Sequence, residues 1–133
     1  MSTGRRSIHV AGLDHGALPI PAASRIGPLI ATGGVRGVDR KTGTIPSDVG
    51  AQARLMFENL VAIIEAAGGT PQDIVKVTVY VDVPEARAAV NTEWLKWFPD
   101  AGSRPARHTL NYELGGGMLV QCDALAFVAG AAS

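Results

Sequence analysis

The segment Ser103-Arg104-Pro105-Ala106-Arg107-His108-Thr109 carries the sharpest chemical signal in the chain. Pro105 presets an extended backbone, so the residues after it read as a strand. Arg107, Thr109 and Asn111 then project to one face, and Ala106, His108 and Leu110 to the other. A guanidinium inside an apolar strand pattern calls for a carboxylate, supplied by the protein or by a ligand. The second signal is Asp123, set within Leu119-Val120-Gln121-Cys122-Asp123-Ala124-Leu125-Ala126-Phe127. Gln121 and Asp123 share a face with Leu119, Leu125 and Phe127. A carboxylate in such surroundings is either a water-activating group with a shifted pKa or the ion-pair partner of an arginine.

Other reactive side chains carry less. Cys122 is the single cysteine, so no intrachain disulfide forms, and its apolar neighbours read as those of an inert buried thiol. His9, His15 and His108 do not fall at metal-ligand spacing, and neither a metal nor a cofactor is expected. Gly33-Gly34-Val35-Arg36-Gly37 has no helix start and no Gly-Lys-Ser/Thr after it, so it reads as a bend or bulge rather than a phosphate loop. Gly115 to Gly117 reads as a connection or as a place where backbone approaches a ligand. Asn91 is either a surface residue or one that hydrogen-bonds a loop.

The elements that must position these groups follow from periodicity. Ile8 to Val10, Ala22 to Ile26 and Leu29 to Thr32 read as short strands. A helix starts at Ser47 as N-cap, with Met56, Leu60, Ile63, Ile64 and Ala67 on its buried face, and ends at Gly68-Gly69. Ile74 to Val83 is the clearest strand, with Val75, Val77, Val79, Val81 and Val83 on one face. Pro84 opens a second helix that buries Ala86, Val90, Trp94 and Trp97. Ala106 to Asn111 and Met118 to Val128 are the last strands, and Arg107 and Asp123 are expected on neighbouring ones. The order gives an α+β fold, a mixed β-sheet with one layer of helices.

Composition bounds the rest. The 133 residues fit a single domain, with residues 1–7 expected to fray. Twelve basic and twelve acidic residues give zero net charge, so there is no general field for nucleic acid or an anionic membrane. No apolar run long enough for a membrane span or export signal occurs, and a cytoplasmic location is expected. Seven aromatic residues in so short a chain suggest that self-association completes the core.

These residues together resemble the Rid family, the reactive intermediate deaminases also called YjgF-like proteins. The likeness runs from about Pro19 to Phe127. It rests on Gly33-Gly34, on Thr42-Gly43-Thr44-Ile45-Pro46, and on Gln52 through Asn59-Leu60 into Glu65-Ala66-Ala67-Gly68. It continues in Asp73 to Val81, Val90-Asn91 and Arg104-Pro105-Ala106-Arg107. The resemblance implies a chorismate-mutase-like fold, two helices on one face of the sheet, and a homotrimer with clefts lined from two chains. It also implies cofactor-independent hydrolysis of imine or enamine carboxylates to keto acids and ammonia. Arg107 then grips the substrate carboxylate, and Asp123 stands where the family usually has Glu, orienting water. Ile20, Gly33, Asn91, Thr109 and Gln121 are the implied substrate-binding positions. Ile20 replaces a Tyr of the family pattern, Gly33 a Ser and Thr109 a Cys. These changes raise the alternative of a non-catalytic trimer that binds small carboxylate metabolites.

Overall fold

The computed structural model describes residues 4–130. Strand β1 (Arg6–Ile8), β2 (Ala23–Ile26), β3 (Leu29–Thr32) and β4 (Val35–Arg36) precede helix α1 (Val49–Ala66). Then come β5 (Ile74–Val81), helix α2 (Glu85–Trp97), β6 (Ala106–Asn111) and β7 (Val120–Phe127). The sheet order is β1-β2-β3-β7-β5-β6, with β4 also on β7. Only β5 and β6 run parallel, joined through α2 as a parallel pair requires. The expected α+β layering of two helices on a mixed sheet is therefore present.

The core lies between the sheet and both helices. Val77, Val79 and Val81 of β5 and Val120, Cys122, Ala124 and Ala126 of β7 face Met56, Phe57, Leu60 and Ile64 of α1 and Ala86, Val90 and Trp94 of α2. The opposite sheet face is open. There Ile26, Leu29, Leu125 and Phe127 are each about half exposed, with Leu29 directly opposite Phe127.

Four local expectations shift. The cap of α1 is Asp48 rather than Ser47: its Oδ2 accepts from the Ala51 N–H at 2.8 Å. A bulge between Ile74 and Lys76 turns Val75 outward, 56% exposed, and brings Ile74 into the core instead. In α2 Ala86, Val90 and Trp94 are buried as expected and Glu93 joins them, while Trp97 is only partly buried and Phe98, just after the helix, takes a core position. The first strand begins at Arg6, inside the stretch expected to fray, because Arg6 and Ser7 pair with Arg25 and Ser24.

Two buried amides on α1 tie distant loops to it. Gln52 donates to the carbonyls of Pro46 (2.7 Å) and Gly117 (3.0 Å) and accepts from Leu119 N–H (2.8 Å). Asn59 donates to the carbonyls of Arg36 and Val38, both at 2.9 Å. The glycine run at 115–117 is thereby anchored, and β7 starts at Val120 because the Leu119 amide is already taken by Gln52. No helix among the described residues is long and apolar enough to cross a membrane.

Candidate active site

Arg107 lies on β6, the edge strand of the sheet, opposite Val77. Its side chain therefore points to the helix face. One Nη donates to Asn91 Oδ1 on α2 at 2.6 Å, and the guanidinium lies 4.9 Å from the centre of a Trp94 ring. Both contacts are neutral, and no carboxylate of the described residues pairs with Arg107. Burial and the nearby Arg87 charge both lower its pKa. Thr109, two residues along, points the same way opposite Val79. Arg107 and Asn91 are thus in contact, with Thr109 on the same face of β6, and Asn91 is both exposed and hydrogen-bonded, to a strand residue rather than a loop.

Asp123 lies elsewhere. It stands opposite Thr78, whose partner on the other side is His108, and these residues face away from the helices. Strand β5 separates β6 from β7. The expected adjacency of the Arg107 and Asp123 strands is therefore corrected: they are two strands apart and on opposite faces. Parity along each strand was right, but it says nothing of how two strands align.

Around Asp123 is a cavity of about 350 Å³ lined by Gly34, Tyr80, Tyr112, Leu114, Gln121 and Asp123. The Tyr80 and Tyr112 rings meet edge to face at 5.9 Å. Burial raises the Asp123 pKa above its ordinary value; the Lys76 charge and a hydrogen bond with the Tyr80 hydroxyl act the other way. Gln121 packs so closely over Gly34 that a Cβ there would collide with its side-chain amide. The break between β3 and β4 falls opposite this site. β3 pairs through Ala31 with Leu125 and β4 through Val35 with Cys122, so Thr32, Gly33 and Gly34 face only Asp123 and Ala124. The Thr32 hydroxyl accepts the Ala124 amide at 3.0 Å across that break. This is the bulge that the paired glycines permit.

The remaining positions divide. The Gly33 amide is used within the chain, donating to Ala22 O at 2.9 Å, so it is not available to a ligand. His15 stands beside Gly33, its Nε2 3.7 Å from where a Cβ would sit. Ile20 is about half exposed on the segment before β2, and no contact joins it to the Asp123 cavity. Cys122 is fully buried, and desolvation drives its pKa far up, which keeps it an unreactive thiol. No cluster of three His, Cys, Asp or Glu suited to a metal occurs among the described residues. Tyr80 is the residue that sequence reasoning passed over. Its place among the polar positions of β5 was readable, but its diagonal approach to Asp123 depends on the β5–β7 register.

Comparison with known proteins identifies the family. The family described as Endoribonuclease L-PSP, which includes the YjgF and RidA proteins, matches residues 19–128. The chain belongs to the Rid family. A RutC family protein of Haemophilus influenzae is 45% identical over 82 residues, covering 62% of this chain and 63% of that protein. A 2-iminobutanoate/2-iminopropanoate deaminase of Escherichia coli is 43% identical over 83 residues, covering 62% and 65%. The aligned region thus spans somewhat under two thirds of these relatives. The crystal structure of the Escherichia coli YjgF gene product superposes with a TM-score of 0.82 at 33% identity, covering 92% of this chain and 98% of that one. Within the Rid fold, the two candidate groups of this chain occupy opposite faces near one edge.

Proposed function

We propose that the protein is a cofactor-independent enamine/imine deaminase that hydrolyses 2-imino or enamine carboxylates to 2-keto acids and ammonia. The observation that carries this reading is the Arg107 guanidinium, held by a neutral amide and an aromatic ring and left without a counter-ion. Such a group suits a substrate carboxylate, which it can bind through two parallel N–H bonds. Asp123 orients water toward C2 and passes a proton to the leaving nitrogen, a role favoured by its raised pKa. Tyr80 supplies a hydroxyl beside that acid, in a site where the family's early Tyr is replaced by Ile20.

Because Arg107 and Asp123 face opposite sides of one sheet, we place each working cleft between two copies of the chain. Arg107, Asn91 and Thr109 come from one, and Asp123, Tyr80 and Gln121 from the next. A homotrimer satisfies this, and the half-exposed Ile26, Leu29, Leu125 and Phe127 offer an apolar surface for it. The 43% identity to an imine deaminase supports the same chemistry. Zero net charge argues against nucleic acid as substrate.

The test is ammonia release from freshly generated 2-imino acids. Arg107→Ala is expected to lose about 100-fold in kcat/KM, the scale of a lost desolvated charge contact. Equal rates would remove Arg107 from the mechanism. The replacements at Ile20, Gly33 and Thr109 favour a second reading, a binding protein for small carboxylates. Thermal shifts with such carboxylates but no turnover would select it.

A further inference from the structure

Arg107 is not the only unpaired guanidinium on its edge. Arg87, one helical turn before Asn91 on α2, donates from Nη2 to Asn111 Oδ1 at 3.2 Å. Asn111 lies on the same face of β6 as Arg107 and Thr109. The two elements therefore form a crossed lattice: Arg107 of the strand reaches Asn91 of the helix, and Arg87 of the helix reaches Asn111 of the strand. Thr109 stands between the two cross-links. Each arginine is steadied by an amide oxygen, and neither has a carboxylate partner among the described residues. The anchoring points on α2, Arg87 and Asn91, are four residues or about 6 Å apart along its axis. The Arg87 end opens into a cavity of about 600 Å³ lined by Pro84, Arg87, Asn111 and Tyr112 among others. Its own acids are Asp82, whose Oδ2 accepts from Leu114 N–H at 3.1 Å, and Glu113; neither forms an ion pair with Arg87.

Two like charges along one helix–strand seam are unfavourable unless something negative spans them. A substrate with a single carboxylate would engage Arg107 and leave Arg87 with only the amide oxygen of Asn111. We infer that the preferred substrates are 2-imino dicarboxylates of four or five carbons, with Arg107 holding the carboxylate next to the imine carbon and Arg87 the distal one. This rests on the deaminase reading and adds the substrate class to it. The reaction is unchanged: water adds at C2, the C–N bond breaks, ammonia leaves with the transferred proton, and a 2-oxo dicarboxylate remains.

The experiment compares 2-iminosuccinate and 2-iminoglutarate with 2-iminopropanoate, each generated in place from its amino acid. Wild type is expected to favour the better dicarboxylate by at least about tenfold in kcat/KM, the scale of one charge-assisted contact. Arg87→Ala should lower that ratio about tenfold, chiefly through KM, and Arg87→Lys should restore part of it. No dicarboxylate preference in wild type, or a ratio unmoved in Arg87→Ala, would overturn the inference while leaving the deaminase reading intact. Should no imine be turned over, the deaminase reading fails, and calorimetry with succinate, glutarate and propanoate then decides the inference alone. Tighter dicarboxylate binding that weakens in Arg87→Ala would support it, and equal affinities would contradict it.

Discussion

The two faces of the sheet near its β5–β6 edge are built on opposite terms. On the helix face, Arg107, Arg87, Asn91 and Asn111 form a row of donors and amides in which the guanidiniums have no acid to answer them. On the open face, Asp123 sits under two tyrosines, its carboxyl pushed up by burial. One face offers positive charge without a carboxylate partner; the other offers an acid whose pKa is raised by burial. A single chain therefore carries both groups that the proposed hydrolysis uses and a geometry that keeps them apart. On the deaminase reading proposed above, this separation is what calls for a cleft shared between two copies of the chain.

The comparison can be broken most severely on the open face. Asp123→Asn keeps the shape and removes the proton-handling group, and kcat for imine hydrolysis should fall by about 10²–10⁴ with KM little changed. A purely electrostatic repeller of substrate would instead show improved KM in that variant. The open face can also be disturbed from the helix side. Gln52→Leu strands the Pro46 and Gly117 carbonyls and the Leu119 amide, loosening the start of β7. Denaturant unfolding should show a loss of about 2–4 kcal/mol, since each orphaned group costs about 1–3 kcal/mol and partial hydration recovers some of it.

Tyr80→Phe sharpens the comparison with a smaller effect, about a tenfold loss of rate. Its sign in pH is fixed by the direction of the Tyr80 interaction, which lowers the Asp123 pKa against the larger upward push of burial. Without the hydroxyl the acid's pKa rises further. If ionised Asp123 is the form that activates water, the acidic limb of the kcat/KM profile moves to higher pH in Tyr80→Phe. An unmoved limb would separate Tyr80 from Asp123.

Much of the frame was legible in the sequence. The Leu29 to Thr32 strand, the α1 core face from Met56 to Ala67, and the parity of Arg107, Thr109 and Asn111 all followed from local periodicity, which is a property of one element at a time. The bulge at Val75 was not legible, because an extra residue in a valine-rich strand leaves the residue types unchanged while inverting the pattern locally. The placement of Asp48 one residue past Ser47 depended on which side chain meets the Ala51 amide. The separation of Arg107 from Asp123 was hidden because strand order is a long-range property: β7 inserts between β3 and β5, and β6 is left at the edge. The Arg87–Asn111 and Arg107–Asn91 cross-links needed the docking of α2 against β6, which no spacing within either element records.

The central claim is that one chain supplies Arg107 and its neighbour supplies Asp123. Arg107→Ala and Asp123→Asn chains, each inactive alone, are co-expressed with different tags and purified as mixed assemblies. In a closed ring with random mixing, about one cleft in four joins an intact Arg107 to an intact Asp123, so activity should return to about a quarter of wild type. Mixed assemblies as inactive as the separate variants would contradict the account, because both groups would then have to come from the same chain.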